Sequence, residues 1–286
     1  MQKWCLAQKK NKVKERYMVR VAISGVMGRM GRTIAKLGYE DRDVEIVAGI
    51  ESPDCAHSHD TVGELIGVKE LKSPITSDIS EVIDLLDVLI EFSNSPEAVL
   101  SHARLLAADK NKKGMVIGTT GLSDGDIKEL EELSKDFPVV FAPNMSIGVN
   151  LLFKLVEEAA KALKDKGFDI EVVEMHHRFK KDAPSGTAVK IVDILKKATG
   201  IEKVVYGRQG DYPEGRPSDE IGVFALRGGD VVGDHTVIFA GLGERVELTH
   251  KAGSRDIFAR GAIEAAKWVK DKPAGLYDMM DVLGLR

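Results

Sequence analysis

Hydrophobic positions in the first half of the chain form short apolar runs separated by segments of helical spacing. The first run, VRVAIS at 19–24, ends at Gly25 and leads into GVMGRMGRTIAKLGYE, whose apolar residues recur at helical intervals. Helical patterns also begin near Pro96 and near Ser123. Strands alternating with helices predict βαβ units and a parallel sheet covered on both faces. The remaining runs that predict strands are VEIVAGI (44–50), DVLIEFS (87–93), MVIGTT (115–120) and PVVFAPN (138–144).

The pattern changes in the second half of the chain. A helix is predicted from Ile147 to about Lys166, and the alternation of FDIEVVEMHH (168–177) predicts a strand. The segment 221–253 is rich in β-branched residues and broken by glycines, which predicts two or three antiparallel strands. Between them, 205–220 has the composition of a long loop, a kind of segment that often forms a mobile lid or a contact between subunits.

These patterns predict an α/β protein with two domains. The parallel-sheet domain is expected to span 18–144, and a second α+β domain with a mixed sheet is expected to span 145–254. The last segment, 255–286, contains a helical pattern at 256–270 and is expected to pack back on the first domain. The chain shows no internal repeat that would indicate another architecture.

Composition excludes several classes of protein. A net charge of −4 gives the surface no general affinity for nucleic acid or anionic membranes, so neither is expected as a partner. Only Cys5 and Cys55 are present, which suits a reducing cytosol, and no apolar run is long enough to span a membrane. Residues 1–17 carry six basic side chains and one acid, and we expect them to form a solvated, disordered tail with Met18 as a candidate start.

The turn after the first strand has the glycines of a phosphate-binding turn. Gly25, Gly28 and Gly31 form GxxGxxG, with Met27 in place of the usual middle glycine. Gly25 permits a tight turn, and Gly28 allows a pyrophosphate to approach the N-terminus of the helix. Glu51 ends the next strand, 20 residues past Gly31, at the spacing of a carboxylate that binds ribose hydroxyls. The alternative is a set of helix-packing glycines with a surface glutamate.

Other strand ends support the nucleotide interpretation. In open parallel sheets ligands bind outside the carboxyl ends of the strands. Three segments of small or amide residues fall at those ends, namely FSNSPEA (92–98), GTTGL (118–122) and APNMS (142–146). A polar rim with many free backbone N–H groups suits a nucleotide.

The segment EMHHRFKKDAPSGTA (174–188) concentrates proton carriers and positive charge. In an extended strand, His176 and His177 point to opposite faces and therefore have different roles. Lys180 and Lys181 follow in a loop, and Pro184-Ser185-Gly186-Thr187 opens a helix whose N-terminus can bind an anion. A small di- or polyacid fits these groups, and a lysine or histidine beside it can deliver a proton. The alternative is a pair of half-buried histidines followed by a solvated loop.

The remaining histidines carry weaker signals. The segment CAHSHD (55–60) has no second ligand pair at zinc spacing, so we expect no metal. His235 and His250 lie in strand patterns, where packing or hydrogen bonding is the expected role.

From about Arg20 to its end the chain resembles the dihydrodipicolinate reductase family, whose members are now called 4-hydroxy-tetrahydrodipicolinate reductases, of lysine and diaminopimelate biosynthesis. The motifs match in order, and the histidine–lysine string is long and specific. The matching segments are VAISGVMGRMGR, VIGTTG, FAPNMSIGVN, EMHHRFKKDAPSGTA and LTHKAGSRDIFARGA.

The resemblance implies a Rossmann-type first domain, a substrate domain that supplies the contacts of a homotetramer, and a hydride donated by NADPH or NADH to a small dicarboxylate. By motif position, His176 is similar to the acid/base histidine and Lys180 to the proton donor, while His177 is similar to a substrate contact. The backbone of Gly186 and Thr187 is similar to the site for a substrate carboxylate. The residues similar to cofactor contacts are Gly25, Val26, Met27, Gly28, Arg29, Met30, Glu51, Gly118, Thr119, Thr120, Ala142, Pro143, Asn144 and Met145.

Two positions depart from the family pattern. Many relatives carry an arginine where this chain has Ser52, and some carry one near the position of Asn94. Either arginine can pair with the 2′-phosphate of NADPH, so its absence predicts use of both cofactors or a preference for NADH.

Two other functions remain open at this point: a two-domain dehydrogenase for an amino-acid semialdehyde or a sugar, and a dinucleotide-sensing regulator without catalysis.

Overall fold

The computed structural model describes residues 18–55 and 60–286. The expected basic tail at 1–17 lies outside these residues, as does most of the CAHSHD segment. Within the described ranges no helix has the length and apolar character needed to cross a bilayer.

The first half of the chain, together with one short strand from its C-terminal segment, builds a seven-stranded sheet in which all neighbouring strands are parallel. The strand order is β12-β6-β5-β4-β1-β2-β3. Its five apolar runs are strands, as predicted, and two further short strands complete the sheet. The bounds are β1 Val19–Ser24, β2 Val44–Ile50, β3 Ile75–Thr76, β4 Val88–Glu91, β5 Gly114–Ile117, β6 Pro138–Phe141 and β12 Gly275–Tyr277.

Helices cover both faces of this sheet. Helices α1 and α7 pack with one face of the sheet in a first core, and α3 and α4 pack with the other face in a second core. Burial on both faces is the reason that the strands read as continuous apolar runs. The helices of this domain are α1 Arg29–Glu40, α2 Val62–Ile66, α3 Pro96–Ala108, α4 Asp124–Leu133, α7 Asp256–Val269 and α8 Met279–Val282.

Two helix starts follow from local capping. The Ser95 side chain accepts a hydrogen bond from the Ala98 N–H, and Pro96 occupies the first helical turn of α3. Ser123 and Asp126 form a reciprocal capping box at the start of α4. Both starts agree with the helices predicted near Pro96 and Ser123.

The second half builds a mixed five-stranded sheet in the order β11-β10-β7-β9-β8. Two helices cover one face, where their apolar residues form a third core with the strands. The bounds are α5 Ile147–Leu163, β7 Asp169–His176, α6 Gly186–Thr199, β8 Lys203–Tyr206, β9 Glu220–Arg227, β10 Gly233–Gly241 and β11 Glu244–Ala252.

The pairing in this sheet differs from the antiparallel arrangement predicted for 221–253. Strands β10 and β11 form an antiparallel hairpin, but β9 runs parallel to both of its neighbours, β7 and β8. The glycines at 228–229 permit the chain to leave β9 and return as β10 on the far side of β7. Turn residues mark where strands end, but they do not specify which strand the next one joins.

The predicted loop at 205–220 is shorter than expected because its ends belong to β8 and β9. The remaining segment, 207–219, is tied to β7 by two arginines. Arg216 donates hydrogen bonds to Asp169 and Glu171, and Arg208 donates to Glu171 and Glu220. These ion pairs fix both ends of the loop on the outer face of the second sheet.

The end of the chain returns to the first domain, where Asp87 joins three of its parts. The Asp87 carboxylate accepts hydrogen bonds from Arg20 on β1 and from Lys270 just after α7. Burial alone would raise the pKa of Asp87, but the hydrogen bonds from Arg20 and the positive charge of Lys270 outweigh it and lower that pKa to about 2. Asp87 therefore helps to hold the C-terminal helix against the sheet.

Replacing Asp87 by asparagine is expected to lower the free energy of unfolding by about 1–2 kcal/mol at pH 7. Because folding depresses the pKa of this carboxyl, its contribution is present above the unfolded pKa near 3.8 and is lost as the pH falls toward 2. Urea denaturation between pH 7 and pH 3 measures the effect. Asp84→Asn, at an exposed position three residues earlier, should leave the midpoint unchanged, and an equal loss in both variants would contradict the role of Asp87.

Replacing Gly31 by alanine is expected to destabilise the first domain by about 1–3 kcal/mol through overpacking. A Cβ atom at Gly31 would lie 2.1 Å from the carbonyl oxygen of Gly25, and backbone atoms cannot move aside cheaply. Gly125 also lies in the first turn of a helix, but a Cβ there meets its nearest neighbour at 3.6 Å. Thermal unfolding should therefore show a lower midpoint for Gly31→Ala and no decrease for Gly125→Ala, because alanine favours a helix over glycine.

Candidate active site

The glycine turn after β1 lies at the carboxyl edge of the first sheet, the position of the ligand crevice in open parallel sheets. Gly25 has φ +72°, and a Cβ there would lie 2.8 Å from the Phe92 carbonyl oxygen, so the turn and the β4 loop pack backbone to backbone. Gly28 is the N-cap of α1 and makes no side-chain cap hydrogen bond. The N-terminal end of α1 therefore lies open toward the crevice, where its dipole favours an anion.

Glu51 lies beside this turn, at the end of β2. Its carboxylate accepts hydrogen bonds from the Met27 N–H at 3.1 Å and from the Ser52 N–H at 3.0 Å. The acid and the glycine turn are thus in direct contact. A glycine turn, an open helix N-terminus and an adjacent carboxylate are the parts that a dinucleotide needs for its pyrophosphate and ribose, so these residues fit a nicotinamide dinucleotide.

The other predicted cofactor residues lie in the turn after β1 and the start of α1, or follow β5 and β6 along the same edge. Thr120 and Pro143 are exposed, whereas the side chains of Val26, Thr119 and Met145 are buried. The Thr119 hydroxyl donates to the Ser93 carbonyl oxygen at 2.9 Å. These three buried residues can therefore offer a ligand only their backbone. Gly118 is also constrained, because a Cβ there would enter the Phe92 ring.

A buried carboxylate holds the β4 loop under the same crevice. Glu91 is fully buried and accepts a hydrogen bond from the Ser93 N–H at 2.9 Å, and it contacts the His102 Nδ1 atom at 2.7 Å. Burial alone would raise the pKa of Glu91, but His102 and Ser93 outweigh it and lower that pKa. The sequence reading did not single out this pair, which fixes the loop that packs on Gly25 and Gly118.

A second cluster lies at the end of β7 in the other domain. Alternation places Glu174 and His176 on the same face as Ile170 and Val172, the face that α5 and α6 cover. The buried residues of β7 are therefore apolar near its start and ionisable near its C-terminal end. His176 is 8% exposed, and its Nδ1 atom lies 2.5 Å from Glu174 Oε2.

Glu174 is fully buried, and each of its two carboxylate oxygens has two hydrogen-bond partners. Arg227 donates to both oxygens, at 2.9 and 2.8 Å, and the Ser185 N–H donates to Oε1 at 3.0 Å. Burial alone would raise the pKa of Glu174, but the hydrogen bonds from Arg227, His176 and Ser185 outweigh it, and the pKa is lowered. Burial lowers the pKa of His176, and the positive charges of Lys180 and Arg227 act in the same direction.

His235 on β10 completes this cluster. Its ring lies 5.1 Å from the His176 ring, measured between centroids, and its Nε2 atom is 3.1 Å from the Ser185 hydroxyl. Burial lowers the pKa of His235 to about 4, so its ring is neutral near pH 7. A hydrogen-bonded strand histidine is the role that the sequence predicted for His235.

The predicted substrate and proton residues surround this cluster. Lys180 forms an ion pair with Asp182 at 2.9 Å. The His177 side chain is half-buried, and its Nδ1 atom is buried without a hydrogen-bond partner among the described residues. Arg178 and Lys181 are exposed and the geometry gives them no specific contact with the cluster. Across the described ranges no group of three metal-binding side chains occurs.

The N-terminus of α6 faces the same region. The Ser185 side chain caps the helix by accepting from the Ala188 N–H, and Gly186 and Thr187 form its first turn. N–H groups in a first helical turn have no intrahelical partner and can bind a carboxylate. Asn144, from the rim of the nucleotide crevice, donates a hydrogen bond to the Thr187 hydroxyl at 3.2 Å. The two predicted sites, one from each half of the chain, therefore meet.

Sequence reasoning missed the supports of the histidine, Glu174 and Arg227. Glu174 carried a detectable signal, since it is a charged residue at a core-facing position of a strand that alternates in burial. Arg227 carried none, because only the parallel pairing of β9 with β7 places it opposite His176.

Comparison with known proteins agrees with this arrangement. The family model described as "Dihydrodipicolinate reductase, N-terminus" matches residues 19–145, and the one described as "Dihydrodipicolinate reductase, C-terminus" matches 148–283. A 4-hydroxy-tetrahydrodipicolinate reductase from Aquifex aeolicus is 58% identical over 268 residues, which cover 93% of this chain and 99% of that protein. The reductase of the same name from Chromohalobacter salexigens is 48% identical over 272 residues, covering 94% of this chain and 100% of that protein.

A solved structure leads to the same family. The dipicolinate-bound dihydrodipicolinate reductase from Paenisporosarcina sp. TG-14 aligns with a TM-score of 0.75 at 26% identity, covering 92% of this chain and 98% of that one. The two-domain architecture, both family models and relatives near half identity agree over nearly the whole length. The chain belongs to the dihydrodipicolinate reductase family.

Proposed function

We propose that this protein reduces 4-hydroxy-tetrahydrodipicolinate to tetrahydrodipicolinate with NADH or NADPH, in lysine and diaminopimelate biosynthesis. The observation that carries the proposal is the junction at Asn144 and Thr187, which brings the nucleotide crevice to the anion-binding start of α6. The names of the relatives supply the substrate, since proteins 58% and 48% identical to this chain are called 4-hydroxy-tetrahydrodipicolinate reductases.

The first domain would hold the dinucleotide. The pyrophosphate would lie on the turn at 25–30, which includes Val26, Arg29 and Met30, and the Glu51 carboxylate would accept hydrogen bonds from a ribose. Gly118–Thr120 and Ala142–Met145 would line the path toward the second domain with backbone groups. When bound, the nicotinamide supplies a hydride, and the protein supplies orientation, charge and protons.

The second domain would bind a dicarboxylate and control the proton. The N–H groups of Gly186 and Thr187 would receive one carboxylate, and the half-buried His177 side chain would contact the substrate. Lys180 would donate the proton, with His176 as the acid/base group beside it. Loss of water from the 4-hydroxy compound gives a conjugated cyclic imine, and one hydride and one proton then reduce it.

Three further assignments go with this proposal. Residues 18–144 with 255–286 form the dinucleotide-binding domain, and 145–254 form the domain for substrate and subunit contacts. A homotetramer is supported by the outer face of the second sheet, where Val173, Met175, Phe224 and Ile238 are only half buried within one chain. A surface of this kind suits contact with another copy. Neither nucleic acid nor a membrane is proposed as a partner.

The residues that follow β2 bear on the choice between NADH and NADPH. Ser52 follows Glu51 and carries no charge that could pair with a 2′-phosphate, and the nearby Asp54 is an exposed acid. Asn94 likewise offers no positive charge. These residues support use of both cofactors, with a preference for NADH.

The defining experiment is a spectrophotometric assay of NADH or NADPH oxidation with 4-hydroxy-tetrahydrodipicolinate generated in place. Substrate-dependent oxidation is expected with both cofactors, and kcat/KM should be equal or higher with NADH. A large preference for NADPH would contradict the cofactor proposal. An amino-acid semialdehyde and a sugar serve as comparison substrates. Oxidation only with one of these, or dinucleotide binding without any turnover, would replace the proposed function by one of its two alternatives.

Lys180→Ala tests the proton donor. We expect kcat to fall by about 100- to 1,000-fold, because general acid catalysis at a positioned group contributes on this scale. The dissociation constant of the dinucleotide should stay within about twofold, since Lys180 lies in the second domain, and fluorescence titration measures it. Lys190→Ala removes an exposed lysine from α6 and should leave both quantities unchanged. Full turnover in Lys180→Ala would remove Lys180 from the mechanism.

A further inference from the structure

We propose that Glu174 and Arg227 are positioning residues for catalysis: Glu174 fixes the orientation and tautomer of His176, and Arg227 balances the charge of Glu174. This inference rests on the proposed reductase function and deepens it. The sequence motifs gave neither residue a role: Glu174 only opens the segment 174–188, and Arg227 lies outside it. Both act on the substrate only through other groups.

The contact with Glu174 determines which nitrogen of His176 carries the proton. An ionised carboxylate can only accept hydrogen bonds, so the Nδ1 atom at 2.5 Å from Glu174 Oε2 must be the donor. In the neutral ring Nε2 is then the basic nitrogen, free to exchange a proton. Gly233 lies next to it, and a Cβ there would come within 2.9 Å of Nε2. The glycine therefore keeps the space beside the reactive nitrogen clear.

The contact with Arg227 neutralises the negative charge of Glu174. Its two terminal nitrogens each bind one oxygen of Glu174, a bidentate arrangement, and one of them also donates to the Asp182 carbonyl oxygen. Without this cation, the buried Glu174 anion would favour a positively charged His176. With it, carboxylate and guanidinium together are neutral, and burial keeps the imidazole uncharged.

Within residues 18–55 and 60–286, four ionisable groups face His176, each from a different part of the fold. Glu174 lies on its own strand, Arg227 on β9 and His235 on β10, while Lys180 comes from the loop that follows β7. Lys180 and Arg227 both disfavour a second positive charge on His176, and Glu174 alone favours one. The balance between Glu174 and Arg227 therefore decides the pH at which His176 becomes protonated.

Glu174 also reaches the carboxylate-binding end of the site. Its Oε1 atom accepts the Ser185 N–H, and Ser185 in turn caps α6 through its hydroxyl. The same carboxylate thus fixes the acid/base histidine and the helix start that would hold the substrate. A shared anchor keeps the distance between proton and substrate constant, which catalysis by orientation requires.

The test compares Glu174→Gln, Arg227→Met and the control Glu171→Gln. Glutamine keeps the size of Glu174 but removes its charge. Its amide nitrogen is a donor, so only one of the two side-chain terminal atoms can still accept hydrogen bonds. Glu171 lies on the same strand and is also paired with arginines, but on the opposite face of the sheet. The measurements are kcat and KM from pH 5 to pH 9, the dissociation constants of the dinucleotide and of dipicolinate, and the thermal midpoint.

Glu174→Gln should lower kcat by about 10- to 100-fold, the scale found when a metal-bound histidine loses the partner that orients it. Dipicolinate should bind about tenfold more weakly, while dinucleotide affinity and the Glu171→Gln enzyme stay near wild type. The two charge changes should move the acid side of the pH profile in opposite directions. Loss of the anion in Glu174→Gln lowers the pKa of His176 and moves that limb to lower pH, whereas Arg227→Met raises the pKa and moves it to higher pH.

The inference would be overturned if Glu174→Gln and Arg227→Met both lost activity but the acid side of their pH profiles did not move in opposite directions. An equal loss of activity in Glu171→Gln would also overturn it. If Glu174→Gln fails to fold, the direction of the displacement in Arg227→Met decides alone. Failure of the proposed function is a separate result, because the wild-type protein would then show no substrate-dependent oxidation of NADH or NADPH.

Discussion

A carboxylate without contact to water is the constraint on which the second domain depends. An unpaired charge at the position of Glu174 would cost several kcal/mol, so donors must converge on it from all sides. They come from its own strand, from Arg227 on β9 and from the backbone before α6. This requirement fixes the relative position of three elements that apolar packing alone would leave free to slide. The histidine that shares the carboxylate is thereby held with the same precision.

The mixed pairing of the second sheet makes this arrangement possible. The parallel register of β9 on β7 sets Arg227 opposite His176, and the antiparallel register of β10 on β7 sets His235 opposite Glu174. If β9 ran antiparallel to β7, its first residues, near Glu220, would lie beside His176 in place of Arg227. The site therefore requires the mixed parallel and antiparallel pairing of the second sheet. This pairing brings side chains from the ends of β7, β9 and β10 together at the start of α6.

Sequence reasoning succeeded where information is local and failed where it depends on pairing. Apolar runs, caps and glycine turns located five strands of the first sheet, though not β3 or β12, and the starts of α3, α4 and α6, because each signal lies within a few residues of the element. The register of β9 and the partner of Glu174 depend on contacts 50 or more residues apart, such as that with Arg227 at a separation of 53. The short strand β12 carries too few residues for any period to show. The candidate site was accordingly found by its motif, but its supports were not.

The distribution of charge suggests how a dicarboxylate would enter. Arg227 is committed to Glu174, and His176 and His235 are kept uncharged by burial, so the inner part of the cluster is close to neutral. Under the proposed function, attraction for a dianion would come from the helix start at Gly186 and from Lys180. The partner of Lys180, Asp182, is 58% exposed in its side chain, and an ion pair so open to water is weak. A substrate carboxylate could displace Asp182 at little cost, which would release Lys180 toward the substrate without disturbing the buried pair that orients His176.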